Sequence, residues 1–179
     1  VGFIHGVMNT DNMCITGTTF DFGPYGFMDR FVPDYTPNHS DKNRRYAYNQ
    51  QPEIGFWNLN KLAETLTPLI GAENLEEEMK QYQPTFNRFY REEMSKKLGL
   101  AILDSEFTQL VQKMFQLLHD HQLDYTNFFR FLADHPTQTT NSNNDDLRSW
   151  LNHYLELTQR EGISHEERKI QMDAINPKF

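Results

Sequence analysis

Asp104-Ser105-Glu106-Phe107-Thr108-Gln109-Leu110-Val111-Gln112-Lys113-Met114-Phe115-Gln116-Leu117-Leu118-His119 carries the clearest periodicity in the chain. Phe107, Leu110, Val111, Met114, Leu117 and Leu118 recur at steps of three and four residues and fall on one face. That spacing predicts an amphipathic α-helix over 104–119 with the apolar face buried. Working outward, further helices are expected at about 125–133, at 145–160, and at 164–175, the last opened by a Ser164 to Glu167 capping box. Thr137 to Asn144, all Thr, Gln, Asn and Ser, reads as a loop. Upstream, Leu59, Leu62, Ala63, Leu66 and Leu69 define a helix from Trp57 that Pro68 should end or kink. A longer segment runs from an Asn74 to Glu77 capping box to Lys96-Lys97-Leu98-Gly99, where two cations and a glycine suit a helix end, and Pro84 should split or bend it. The fold class is therefore mainly α.

Residues 1–52 differ. They hold most of the nine glycines and only short apolar stretches, which reads as loops and brief strands. Met13-Cys14-Ile15-Thr16 and Thr18-Thr19-Phe20, separated by Gly17, are expected to pair as a short β-hairpin at the edge of the helical part. The expected organisation is one domain, 1–52 carrying the chemistry and 53–179 a helical bundle.

Composition limits the function. Seventeen Lys and Arg against 25 Asp and Glu give a formal charge of −8, which argues against nucleic acid or an anionic membrane surface as partner, since both need dense positive charge. The one local basic cluster is Lys42, Arg44 and Arg45. A single cysteine, Cys14, can form no internal disulfide and fits a reducing compartment. The chain opens on Val1-Gly2-Phe3-Ile4 and stops just past a proline, so it is expected to be a piece of a longer protein.

The loop-rich part carries the candidate site. Asp21-Phe22-Gly23 is the tripeptide with which protein kinases hold the magnesium of ATP, and His5 precedes Asn12 by the His-to-Asn interval of a kinase catalytic loop. A carboxylate and an amide oxygen are hard ligands suited to Mg²⁺ or Mn²⁺ on polyphosphate. The alternative for the tripeptide is an ordinary turn after a strand. Where a kinase places its catalytic Asp, two residues after the His, stands Val7; the nearest carboxylate is Asp11.

His5-Gly6-Val7-Met8-Asn9-Thr10-Asp11-Asn12-Met13, Asp21-Phe22-Gly23-Pro24-Tyr25-Gly26-Phe27-Met28-Asp29, Asn38-His39-Ser40-Asp41 and Arg45-Tyr46-Ala47-Tyr48-Asn49-Gln50-Gln51-Pro52 together resemble the selenoprotein O (YdiU) family. The likeness continues through Gly55-Phe56-Trp57-Asn58-Leu59, Asp124-Tyr125-Thr126-Asn127-Phe128-Phe129-Arg130 and Asn176-Pro177-Lys178-Phe179, so it covers the whole chain. The resemblance implies the helical C-terminal lobe of a protein-kinase-like fold that transfers AMP, not phosphate, from ATP to Ser, Thr or Tyr hydroxyls of proteins. It assigns Asp11 as proton acceptor, Asn12 and Asp21 as metal ligands, and Asp21 also to ATP. It further implies a bacterial cytoplasmic or eukaryotic mitochondrial location. Cys14 stands where the family commonly has Ser, and Phe22 where it has Tyr. The family's nucleotide-binding lysine, its acidic partner, its glycine-rich segment and its phosphate-contacting arginines would lie upstream, in an N-terminal lobe expected to dock on an apolar face around Phe3, Ile4 and the hairpin. Against adenylyl transfer stand an ordinary phosphotransferase, which Val7 disfavours, and a catalytically empty scaffold, which Asp11, Asn12 and Asp21 disfavour.

Other residues have plainer readings. His119-Asp120 is expected at a solvated helix end, Glu76-Glu77-Glu78 at a solvated helix start, and Asn38 to Asp41 in a loop shaped by their own side chains. Tyr46, Tyr48 and Trp57 are expected in the core.

Overall fold

A computed structural model describes residues 2–19, 22–101, 103–135 and 144–176. The chain forms two compact units: Gly2–Met28 with Pro33–Phe89, and Asp29–Val32 with the residues from Tyr90 onward. Asp21 and the stretch 136–143, most of the expected Thr137 to Asn144 loop, lie outside the described residues.

In the first, loop-rich unit, strand β1 (Phe3–Ile4) pairs antiparallel with β2 (Gly26–Phe27), Phe3 opposite Phe27 and Ile4 opposite Gly26. This corrects the expected hairpin: the described residues of 13–20 form no strand. Gly17, at φ +75°, closes a tight turn by donating its N–H to Cys14 O at 3.0 Å. The Cys14 thiol and the Thr16 and Thr18 hydroxyls bond in series at 2.9 and 3.0 Å, so local side-chain bonds replace a ladder.

Helix α1 (Gln51–Ile70) starts earlier than its apolar repeat, with Pro52 in its first turn, where a missing N–H costs nothing. It passes Pro68 and stops two residues later at Gly71, φ +89°. Its buried residues are Ile54, Gly55 and Asn58, not the Leu59 to Leu69 stripe; Leu69 is 82% exposed. Helix α2 (Ala72–Lys80) buries nothing. Asn74 lies inside it, bonding Ile70 O at 3.0 Å, and is not the N-cap that the expected capping box required. Glu76, Glu77 and Glu78 are exposed as expected, although within the helix rather than at its start. Helix α3 (Tyr82–Leu98) begins after a break at Gln81, so Pro84 falls in its first turn and marks a new helix.

The second, helical unit follows the sequence closely. Helices α4 (Ser105–Asp120), α5 (Tyr125–Asp134), α6 (Asp145–Glu161) and α7 (His165–Ile175) match the expected spans within a residue or two. Asp104, Asp124, Asn144 and Ser164 cap them, and the Ser164–Glu167 box is fully formed. Phe107, Leu110, Val111, Met114 and Leu118 of α4 are buried. Two large core side chains bond backbone carbonyls: Trp150 Nε1 donates to Leu110 O and Tyr154 Oη to Leu98 O, each at 2.8 Å. His119 and Asp120 sit exposed at the end of α4.

Two buried cations were not legible. Lys97, one of the two cations that suited the expected helix end, points inward; its ammonium lies 4.1 Å from the Phe129 ring centroid and donates to Asn176 Oδ1 at 2.7 Å. Asn176 Nδ2 returns a bond to Lys97 O at 3.0 Å. Arg168 of α7 donates to Gly99 O, to Thr158 O at 3.0 Å and to Glu161 Oε2 at 2.9 Å, so one guanidinium closes the turn after α3 onto the end of α6. Among the described residues no helix is long and apolar enough to cross a membrane.

Candidate active site

The segment following β1 cannot join a sheet, and side-chain amides hold it instead. Gln51 acts as a one-residue strand: its Nε2 donates to Phe3 O and its Oε1 accepts from the His5 N–H, both at 3.0 Å. Asn38 Nδ2 donates to Gly6 O at 3.1 Å, Asn12 Nδ2 to Val7 O at 3.1 Å, and Asn58 Nδ2 to Met8 O at 2.9 Å. Four amides thus take the carbonyls of Phe3, Gly6, Val7 and Met8, which would otherwise go unpaired in a partly buried loop. His5 Nδ1 accepts the Val7 N–H at 3.3 Å, which leaves the ring proton on Nε2.

Gly6 is required here. Its φ is +79°, and a Cβ would sit 2.4 Å from Pro24 O and 3.2 Å from the Pro37 ring. The same crowding, with the Ile4–Gly26 pairing, brings the residues just after Asp-Phe-Gly against the His5 segment. Backbone closeness, rather than the expected hairpin, joins the residues that follow Gly23 to the His5 segment.

At the end of this segment Thr10–Asn12 forms one 3-10 turn, with Asn12 N–H bonded to Asn9 O at 3.0 Å. Asp11 is exposed, and its carboxylate accepts no hydrogen bond from any described residue. Asn12 is half-buried, and because its amide nitrogen is committed to Val7 O, its oxygen is the face left for a ligand. A hard amide oxygen of that kind fits a Mg²⁺ or Mn²⁺ ligand. Asp21, the partner expected for it, lies outside the described residues, and no group of three or more His, Cys, Asp or Glu gathers elsewhere among them. Three buried polar atoms on the segment and its clamp, His5 Nε2, Asn9 Oδ1 and Asn58 Oδ1, have no hydrogen-bond partner among the described residues. Unpaired buried groups each carry a free-energy cost and concentrate where a structure serves more than packing.

Around the strands, Phe3 packs against Tyr25 and Phe27 with ring centroids 5.9 and 5.6 Å apart, and Phe22 against Tyr25 at 5.7 Å. Phe22, Tyr25 and Phe27 are exposed, whereas Ile4, expected on the same face, is fully buried.

The Asn38 to Asp41 loop is shaped by its own side chains, as its composition suggested. Asn38 Oδ1 accepts the Ser40 N–H at 2.9 Å, and the Asp41 carboxylate accepts the N–H groups of Arg45 and Tyr46 at 2.9 and 2.8 Å. Trp57 is a correction: it is 41% exposed, not core, with the Arg45 guanidinium 4.8 Å and the Lys61 ammonium 5.6 Å from its ring centroid. Tyr46 and Tyr48 are half-buried. Periodicity gave no role to Gln51 or Asn58. The available signal for Asn58 was a polar residue in register with Ile54 and Gly55 on the buried side of α1.

A family model described as protein adenylyltransferase SelO matches residues 1–179. The chain is 43% identical to a protein nucleotidyltransferase YdiU of Aliivibrio fischeri, with all of this chain and 38% of that protein aligned. It is 42% identical to proteins of the same name from Vibrio vulnificus, covering all of this chain and 39% of the relative, and from Aeromonas hydrophila, covering 99% and 39%. The chain therefore spans about two fifths of the length of these curated relatives, and with its full extent matched by the family model it belongs to the SelO family.

Proposed function

We propose that this chain supplies the base and the metal-binding edge of an ATP-dependent protein adenylyltransferase, built on the C-terminal lobe of a kinase-like fold. Its substrates would be Ser, Thr or Tyr hydroxyls of proteins. The observation that carries the reading is the division of labour across two adjacent residues: Asn12, whose amide nitrogen is held by Val7 O so that its oxygen is the group left for a ligand, and Asp11 exposed beside it.

In this reading Asn12 and Asp21 hold Mg²⁺ or Mn²⁺, which when bound supplies positive charge to the phosphates. Asp11 accepts the proton of the incoming hydroxyl, whose oxygen bonds to the α-phosphorus of ATP as the bond to pyrophosphate breaks. Such a base contributes about 10²–10⁴-fold to the rate. Val7 contributes only backbone groups, its N–H to His5 and its carbonyl to Asn12, so the position where a kinase keeps its catalytic Asp serves here to orient a ligand. The amide clamp fixes the whole segment before substrate arrives, which lowers the ordering cost of reaction.

The test uses the longer protein that contains this chain, with ATP labelled at the α- or the γ-phosphorus and Mg²⁺ or Mn²⁺. Label from the α-position, with an AMP mass increment on a modified hydroxyl residue, is the expected result. Transfer of the γ-label with a phosphate increment would overturn it in favour of an ordinary phosphotransferase. Tight nucleotide binding with transfer of neither label would favour a scaffold.

A further inference from the structure

The proposed function leaves unused the one basic cluster in an acidic chain. Its loop is anchored at both ends on the segment that carries Asp11 and Asn12, by Asn38 on Gly6 O and by Gln51 on Phe3 O and the His5 N–H. Between these anchors Asp41 bonds two successive backbone N–H groups, and Arg44 takes the left-handed conformation, φ 53°, which costs about 1–2 kcal/mol for a residue with a side chain. The strained turn fixes where Arg45 leaves the backbone.

The cations around it are not equivalent. Arg44 pairs with Asp34, and Lys61 pairs with Glu64 at 2.6 Å. Arg45 donates to no carboxylate among the described residues; its guanidinium is held only by ring faces, 4.8 Å from the Trp57 centroid and 5.9 Å from that of Tyr46. Cation–ring contacts do not use up the guanidinium N–H groups, which stay available to a carboxylate. Trp57 precedes Asn58 on α1, so consecutive residues of one helix support Arg45 and bond Met8 O of the catalytic segment.

We propose that Arg45, laid on Trp57 and assisted by Lys42, binds a carboxylate of an acidic segment in the protein substrate. This rests on the adenylyl-transfer reading and names the substrate class for it. A planar fork on a flat support matches a carboxylate through two parallel hydrogen bonds. Lys42, Arg45 and Trp57 are all exposed, whereas a nucleotide site buries most of its ligand, and one small basic cluster on a chain of charge −8 is too sparse to track a nucleic-acid backbone.

The probe is a fluorescein-labelled peptide, Glu-Glu-Glu-Ser-Glu-Glu-Glu, against the same peptide with Gln at every Glu, titrated with the longer protein that contains this chain and followed by anisotropy. The Glu peptide should bind more tightly, with the preference shrinking as salt rises. Arg45→Ala should weaken it about tenfold, the loss expected for a charge-assisted pair. Arg45→Lys should recover only part of that, because the charge returns without the fork. Trp57→Leu should fall between wild type and Arg45→Ala. Both sites are at the surface, and unchanged circular dichroism and thermal unfolding of each of the three variants separate a binding defect from misfolding. Equal binding of the two peptides, no binding of the Glu peptide, or full retention of the preference in Arg45→Ala would each overturn the proposal. So would an Arg45→Ala variant that lost ATP or oligonucleotide binding and kept the peptide preference. If the preference depends on Arg45 but the longer protein transfers no α-label, the carboxylate site stands and the adenylyl-transfer reading falls; α-label transfer without the preference does the reverse.

Discussion

The helical unit and the loop-rich unit face the same requirement, pairing backbone polar groups out of water, and meet it with different materials. In the helical unit the helices pair their own backbones, caps such as Asp104 and Ser164 finish the ends, and aromatic and aliphatic faces bury the rest. In the loop-rich unit Gln51, Asn38, Asn12 and Asn58 do the pairing across 32 to 50 residues of sequence or within the segment itself. Burial stabilises by area and tolerates small shifts, whereas a hydrogen-bond clamp has one geometry. The difference places rigidity of position at the segment that carries Asp11 and Asn12 and leaves bulk stability elsewhere.

The comparison breaks most visibly at Arg168. Arg168→Met would leave Glu161 buried without its cation and Gly99 O and Thr158 O without donors; we expect the helical unit to lose about 3–5 kcal/mol in denaturant unfolding. Next is Gly6→Ala, which adds the left-handed penalty to a backbone clash, together about 3 kcal/mol. Gly99→Ala should cost less. It shares a positive φ, 64°, but its Cβ would meet Arg168 Cγ and Met172 Cγ at 2.7 and 2.8 Å, and flexible side chains can give way where Pro24 O cannot. Hydrogen exchange at the His5 and Val7 amides should quicken in Gly6→Ala and not in Gly99→Ala or Arg168→Met.

A pH titration sharpens the contrast further. Burial pulls the Lys97 ammonium down to about 8 from 10.5. Between those values the unfolded chain binds the proton and the folded chain does not, so stability of the helical unit should rise with pH above 8, and Lys97 adds no slope below it. Burial also raises the Tyr154 phenol above its ordinary 10, which acts in the opposite sense once the unfolded chain ionises, so the rise is confined to pH 8–10. Its size should be about 2–3 kcal/mol, and Lys97→Met should abolish it. The smallest expected effect is Asn58→Ala, about 1–2 kcal/mol from the lost bond to Met8 O. Exchange protection should fall across 5–12 and hold in α4 to α7.

The same contrast explains what could be read from sequence. Helices α4 to α7 were legible because caps and a buried stripe are both local signals, and the stripe is truly covered. The stripe Leu59 to Leu69 has the same periodicity without the cover, since periodicity reports an amphipathic helix and not what lies against it. The two cations marked the end of α3 correctly, but a cation there suits the dipole whichever way it points, and only tertiary structure shows Lys97 turned onto Phe129. In the candidate site the residue types and order of Asp11 and Asn12 were legible, with the roles supplied by family resemblance. The clamp was not, because Gln51 and Asn58 act across distances that no pattern encodes. The expected hairpin failed because the Thr hydroxyls and Cys14 satisfy that turn locally.

The central claim is that Asp11 serves the chemical step while its neighbour Asn12 serves metal and nucleotide binding. In the longer protein that contains this chain, Asp11→Ala and Asn12→Ala should be compared for Mg²⁺- or Mn²⁺-dependent ATP binding and for single-turnover AMP transfer. Asp11→Ala should bind ATP as the wild type does and transfer AMP about 10²–10⁴-fold more slowly, while Asn12→Ala should weaken metal-dependent binding. Loss of ATP binding in Asp11→Ala as severe as in Asn12→Ala would contradict the assignment.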